Sequence, residues 1–143
     1  MTYLDTSALI KRFVVEAGSS RVDILLTRHG PAATATLAYA EVHAGLARKK
    51  REALVSERGY ALTCQQFESE WRGYVRVDLR DDVLTLARDL VRRHPLRGAD
   101  AIHLASALSF KQASGEDLGF AASDTQLLRA ARAERLRAVN VEQ

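Results

Sequence analysis

Near the start of the chain, Thr2-Tyr3-Leu4-Asp5-Thr6-Ser7-Ala8-Leu9-Ile10 compresses a strand, an acid and the opening of a helix into a single run. Thr2 to Leu4 reads as a short strand. Leu9, Ile10, Phe13 and Val14 then fall on one helical face. Asp5 stands at the junction. The arrangement recurs late in the chain. Leu118 to Ala122 reads as a strand, Asp124 follows it, and Leu127, Leu128 and Ala131 mark a helix.

Working outward from these two units, strands and helices keep alternating. Val22, Leu25 and Leu26 suggest a helix that stops at Gly30-Pro31. Ala32 to Thr36 is a weak strand, and Leu37 to about Arg51 is an alanine-rich helix. Tyr60, Cys64, Phe67 and Trp71 recur at helical spacing, and Tyr74 to Val77 alternates like a strand. Val83, Leu84, Ala87, Leu90 and Val91 form the stripe of a helix that ends before Pro95. Asp100 to about Gln112 is a further helix, and Leu136 to Val141 closes as a strand. This alternation predicts an α/β fold with a mostly parallel central sheet flanked by helices. Such sheets place their sites beyond the carboxyl ends of the strands. With 143 residues, no linker-like stretch and no repeat, residues 1–143 read as a single domain.

Four acids stand out. Asp5 follows the first strand immediately, Asp124 follows the strand ending near Ala122, Asp100 opens a helix behind Leu96-Arg97-Gly98-Ala99, and Glu41 lies in the apolar segment Leu37-Ala38-Tyr39-Ala40-Glu41-Val42. Each Asp taken alone is explained as a helix N-cap, and Glu41 as an exposed helical residue. Taken together they describe carboxylates converging on one pocket, which repel one another unless a cation sits among them. Oxygen ligands of this kind suit Mg²⁺ or Mn²⁺. The chain has a single cysteine and no HExxH motif to argue for zinc. A divalent ion among acids, in a mildly basic chain, suits phosphodiester cleavage.

Four segments carry a resemblance. Tyr3-Leu4-Asp5-Thr6-Ser7-Ala8-Leu9-Ile10-Lys11-Arg12-Phe13 resembles the first motif of VapC-type PIN domains, and Thr36-Leu37-Ala38-Tyr39-Ala40-Glu41-Val42 the second. Leu96 to Leu108, centred on Asp100, resembles the third, and Phe120 to Leu127, with Asp124, the fourth. The fourth departs in one place: Ala122 stands where members often carry Thr or Ser. The resemblance implies a PIN-like three-layer sandwich whose four acids gather at one end of the sheet. There Asp5 and Asp100 would be the principal ligands of one or two Mg²⁺ or Mn²⁺ ions, and Glu41 and Asp124 would complete the site, some through water. It further implies RNA cleavage leaving a 5′-phosphate and a 3′-hydroxyl, a homodimer, and silencing by a cognate VapB-type antitoxin.

Other features carry two readings each. Thr6 reads as the cap of the first helix, although its hydroxyl or that of Ser7 could orient a carboxylate. His103, three residues after Asp100, reads as a packed histidine rather than a ligand. Arg48-Lys49-Lys50-Arg51 suits RNA phosphates or a helix C-terminus equally. Tyr60, Phe67, Trp71 and Tyr74 read as core or partner packing.

The bulk properties set outer bounds. Hydrophobic residues at 47% and charged residues at 27% suit a globular chain, and 21 basic against 18 acidic residues permit a polyanionic partner without requiring one. Cys64 alone allows no internal disulfide, which fits a reducing cytoplasm. No signal peptide and no membrane span are read. Rival functions remain at this point. A haloacid-dehalogenase-like phosphatase also begins with an Asp after its first strand, but needs a second acid two residues on, where this chain has Ser7. A non-catalytic RNA-binding PIN scaffold need not retain all four acids.

Overall fold

The computed structural model describes residues 1–143. In chain order the elements are β1 (Thr2–Leu4), α1 (Thr6–Leu9), α2 (Ser19–His29), β2 (Ala32–Ala35), α3 (Leu37–Arg51), α4 (Glu57–Trp71), β3 (Val75–Val77), α5 (Asp81–Arg93), α6 (Gly98–Ser114), β4 (Gly119–Ala122), α7 (Thr125–Ala133) and β5 (Arg137–Asn140). No helix is long and apolar enough to cross a membrane.

The strands form one sheet in the order β3-β2-β1-β4-β5. Every neighbouring pair is parallel, so the sheet is wholly rather than mostly parallel. From β1 the chain winds outward through β2 and β3, then returns to the other side of β1 for β4 and β5. The order therefore reverses between β1 and β4. At such a reversal the loops leaving the two strands diverge and open a crevice at their carboxyl ends.

Alternation along the strands sorts side chains into two cores. Tyr3, Ala33, Ala35, Phe120 and Ala122 face one layer, with Val83, Ala87, Leu90, Leu104, Leu127 and Leu128 of α5, α6 and α7. Leu4, Ala32 and Ala121 face the other, with Leu9, Val22, Leu25, Val42, Leu46, Phe67 and Trp71 of α1 to α4. This is the expected three-layer sandwich. The aromatic set at Phe67, Trp71 and Tyr74 belongs to the second core, as its spacing predicts. Tyr3 and Phe120 lie side by side in register and stack, with ring centroids 5.5 Å apart and planes 5° from parallel.

The first helix is shorter than the apolar pattern suggests. It runs only from Thr6 to Leu9 and tightens into a 3-10 turn over Ile10–Arg12. Two close contacts accompany the change. Phe13 meets Phe67 edge-on at 5.1 Å. Ile10 approaches α3 so closely that a Cβ on Gly45 would lie 2.7 Å from its Cδ1.

Phe120 is fully buried at the centre of the sheet. Phe120→Ala is expected to cost about 3–5 kcal/mol in chemical denaturation, because the rigid strands around it cannot collapse into the void.

Candidate active site

The crevice between β1 and β4 is a cleft of about 530 Å³ that takes in Asp5, Thr6, Ser7, Glu41, Arg48, Arg97, Asp100, His103 and Asp124. All four acids singled out in the sequence thus line one cleft. Its walls come from both helical layers, since α3 brings Glu41 and Arg48 from one and α6 brings Asp100 and His103 from the other.

Asp5 caps α1, accepting from the Ala8 N–H at 2.9 Å. Ser7 donates to its two carboxylate oxygens at 2.7 and 2.9 Å. The Ser123 N–H in turn donates to the Ser7 oxygen at 3.2 Å, tying the loop after β4 to the first turn of α1. Asp5 is only 4% exposed. Burial pushes its carboxyl from the ordinary 3.8 up to about 6, against the opposing pull of His103, Ser7 and the Ala8 N–H, with nearby Asp100 adding to the rise. No lysine or arginine forms an ion pair with it.

Glu41 is part-buried. Thr6 Oγ1 donates to its Oε1 at 2.7 Å, and His103 Nε2 lies 2.7 Å from the same oxygen. Burial pushes the Glu41 carboxyl up, but the hydrogen bonds from His103 and Thr6 outweigh it and hold the group below its ordinary value. Asp124 caps α7 through the Leu127 N–H at 2.8 Å and is otherwise exposed. Asp100 is not a cap. It is the third residue of α6, whose N-cap position is Arg97, and it sits in the first turn where the helix dipole favours an anion. Arg97 reaches it only at 3.4 Å and is 85% exposed, a contact of little energetic weight.

One further expectation needs correction. Thr6 does not cap the first helix; Asp5 does, which frees the Thr6 hydroxyl for Glu41. The basic run forms the last turn of α3, as one of its two readings expects, and its members meet different partners. Lys49 is spent on Glu16 at 3.2 Å, and Lys50 on Glu57 at 3.5 Å and the face of Tyr60. Arg48 alone faces the cleft, without an ion-pair partner. His103 is packed, as expected, at 2% exposure, yet its edge reaches the site.

The cleft is a concentration of hard oxygen donors around a buried carboxylate that lacks a cationic partner. Such a donor set fits a divalent ion such as Mg²⁺. As the side chains stand, several oxygens are held by caps and hydroxyls, and no three of the His, Cys, Asp or Glu groups converge on one ion-sized point. A second groove of about 440 Å³, lined by Arg12, Asp23, Glu70 and Tyr74 among others, lies toward the amino ends of β2 and β3. Its one cation is already committed, with Arg12 on Glu70 at 2.9 Å and on Asp23 at 3.3 Å.

The Asp5 carboxyl holds its proton more tightly in the folded than in the unfolded chain. Its ionisation therefore destabilises the ion-free fold progressively from about pH 4 to about pH 6, and fully above that. Asp5→Asn keeps an acceptor for the Ala8 N–H and removes the charge. In chelator at pH 7 the variant should be more stable to urea by up to about 3 kcal/mol, with the difference vanishing below about pH 4. Equal stability at both pH values would refute this account of the site.

The comparisons with known proteins agree with the geometry. The PIN domain family model matches residues 2–133. Two curated proteins of Mycobacterium tuberculosis, Ribonuclease VapC45 (strain CDC 1551 / Oshkosh) and Ribonuclease VapC49 (strain ATCC 25618 / H37Rv), are each 39% identical over 109 residues, covering 76% of this chain and 76% of the relative. Among solved structures, a toxin-antitoxin complex from Klebsiella pneumoniae superposes with a TM-score of 0.69 at 18% identity, over 99% of this chain and 98% of that one. FitAcB from Neisseria gonorrhoeae gives 0.68 at 18% identity, with the same coverage of 99% and 98%. These distant structures establish the sandwich, and the family match and closer relatives establish kinship: the chain belongs to the PIN-domain family, among its VapC-type ribonucleases.

Proposed function

We propose that this chain, acting as one PIN domain over residues 1–143, is an endoribonuclease that cleaves RNA phosphodiester bonds with the help of Mg²⁺ or Mn²⁺. Asp5 and Asp100 are its principal ion ligands, and Glu41 and Asp124 complete the site, in part through water. The observation that carries this reading is the Asp5 carboxylate, 4% exposed on a cleft shared with three further acids and paired with no cationic side chain. A bound ion would offset the repulsion between these acids and an incoming phosphate, and would help to activate the attacking water.

The chain's own residues do the rest. Ser7 and the Ala8 N–H fix the Asp5 carboxylate, and Thr6 and His103 fix that of Glu41. Arg48 and Arg97, contributed by α3 and by the N-cap of α6, line the cleft with side chains open to a phosphate on either side of the scissile bond. Ser7 also occupies the place where a haloacid-dehalogenase-like phosphatase would need its second acid.

By analogy with the relatives named VapC, and with toxin-antitoxin complexes of the same fold, the chain serves as the toxin of a VapBC-type pair. Its partners are an RNA substrate, a VapB-type antitoxin and a second copy of itself. A reducing cytoplasm as its place of action fits its one free cysteine, Cys64.

Cleavage of a structured RNA by the purified protein should stop when Mg²⁺ and Mn²⁺ are chelated and return when either is restored, leaving 5′-phosphate and 3′-hydroxyl ends. Asp5→Asn and Asp100→Asn should each lower kcat by more than the roughly 10–100-fold typical of groups that act behind a ligand. Undiminished cleavage in chelator would overturn the metal reading.

Arg48→Ala and Arg97→Ala should instead act on binding. Each should raise KM for RNA with little change in kcat, and should flatten the slope of log affinity against log salt by about 0.7–0.9. An unchanged salt slope would remove both arginines from the phosphate path.

A further inference from the structure

A line of buried groups runs from the centre of the sheet to the cleft. Phe120 stacks on Tyr3, and both are fully buried. The Tyr3 hydroxyl lies 2.9 Å from His103 Nδ1, and the imidazole stands edge-on to the Tyr3 ring at 6.0 Å and 72°. His103 Nε2 lies 2.7 Å from Glu41 Oε1 and 3.0 Å from Thr6 Oγ1. Residues 3, 6, 41 and 103 come from β1, α1, α3 and α6, so four elements meet in this one network.

The Glu41 carboxylate fixes one proton of this network. An ionised carboxylate only accepts, so His103 Nε2 carries hydrogen and donates to Glu41. Nδ1 is hydrogen-bonded to the Tyr3 hydroxyl at 2.9 Å whichever of the two carries the proton. Thr6 donates its own hydrogen to Glu41 Oε1 and offers its oxygen to the same Nε2–H. Every polar atom of the His103 ring is committed, and the ring has no free rotation at 2% exposure. The outcome at Glu41 is asymmetric. Oε1 receives both donors, and Oε2 makes no hydrogen bond within the protein.

We infer that His103, anchored by the Tyr3 hydroxyl, is a positioning residue that clamps Glu41 through Oε1 so that Oε2 is presented to the cleft. Glutamate is a costly side chain to immobilise, because it loses several rotatable bonds' worth of freedom on fixing. A clamp rooted in the sheet meets that cost during folding rather than at each encounter with ion or substrate. The inference rests on the nuclease reading above, in which Glu41 serves the ion site.

The test separates the clamp from mere packing. In His103→Asn the amide falls where Nδ1 was, so the Tyr3 contact can persist while Glu41 is released. In His103→Gln the amide falls near Nε2 and can donate to Glu41 again. Tyr3→Phe keeps the stack on Phe120 and removes only the hydroxyl. Mn²⁺ alone is titrated against each protein by electron paramagnetic resonance, alongside steady-state cleavage of a structured RNA and thermal melting in chelator.

His103→Asn should lower kcat by roughly 10–100-fold, leave KM for RNA within about twofold, and weaken Mn²⁺ binding about tenfold. His103→Gln should recover most of both losses. Tyr3→Phe should show the same pattern at a few-fold size, and it carries the test if His103→Asn does not fold. The clamp is refuted if folded His103→Asn, or Tyr3→Phe in its stead, binds Mn²⁺ and turns over like wild type. It is also refuted if His103→Gln is as impaired as His103→Asn, since ring packing would then be what matters. Wild-type protein that cleaves RNA without binding Mn²⁺ would overturn the ion reading and the clamp together, whereas an unimpaired His103→Asn beside an ion-dependent wild type would overturn the clamp alone.

Discussion

A carboxylate removed from water without a counter-charge is among the more expensive features a small fold can carry, and Asp5 is such a group. Its position is not free to drift. β1 is the central strand, flanked by β2 on one side and β4 on the other, and its carboxyl end opens at the one place where the strand order reverses. The residue leaving that strand must enter the crevice. A backbone N–H and the Ser7 hydroxyl soften the cost of burying it but bring no full positive charge. Under the proposed function a cation would supply the remaining deficit, and the surrounding hard oxygens would favour Mg²⁺ or Mn²⁺.

The sandwich also explains why the site is built from both layers. Tyr3 and Leu4 are neighbours in sequence but face opposite cores. Just past Leu4 the sheet ends, and the two layers meet without strands between them. There α3 from one layer and α6 from the other approach closely enough for Glu41 and His103 to touch at 2.7 Å. The site is therefore a property of the seam, and a change that spread the layers would separate its carboxylates without altering any of them.

What the sequence discloses and what it hides divide along the reach of the interactions. Asp5 and Asp124 are legible because a strand, an acid and a helix in immediate succession fix their place at the sheet's carboxyl edge. The alternation of apolar residues is likewise local, and it marks every strand to within a residue or two. Thr6 is misread as a cap because two hydroxyls and a carboxylate compete for one short helix, and only the fold shows Glu41, 35 residues on, drawing the Thr6 hydroxyl away. The reach of His103 to Tyr3 spans 100 residues and that to Glu41 spans 62, and no spacing rule covers either. Arg48 cannot be told from Lys49 and Lys50 in sequence, because Glu16 and Glu57, which occupy its neighbours, arrive from elsewhere in the chain. Only the shortening of the first helix contradicts a local pattern, and there tertiary contacts of Ile10 and Phe13 accompany the override.

Four acids on one cleft raise a further question, which is how the chain folds before any ion is present. The placement of three of them supplies much of the answer. Asp5 and Asp124 each accept from a backbone N–H at the start of a helix, and Asp100 lies in the first turn of another. Helix starts expose unpaired N–H groups and the positive end of the peptide dipoles, each favouring a nearby anion by up to about 1 kcal/mol at exposed sites. Glu41, in the interior of α3, has no such help, and it is the acid that takes two side-chain donors instead. Each acid is thus given partial positive charge by the fold itself, enough to assemble the cleft but short of neutralising it. A site compensated completely would have no reason to hold an ion, and one compensated not at all would prevent its own layers from closing.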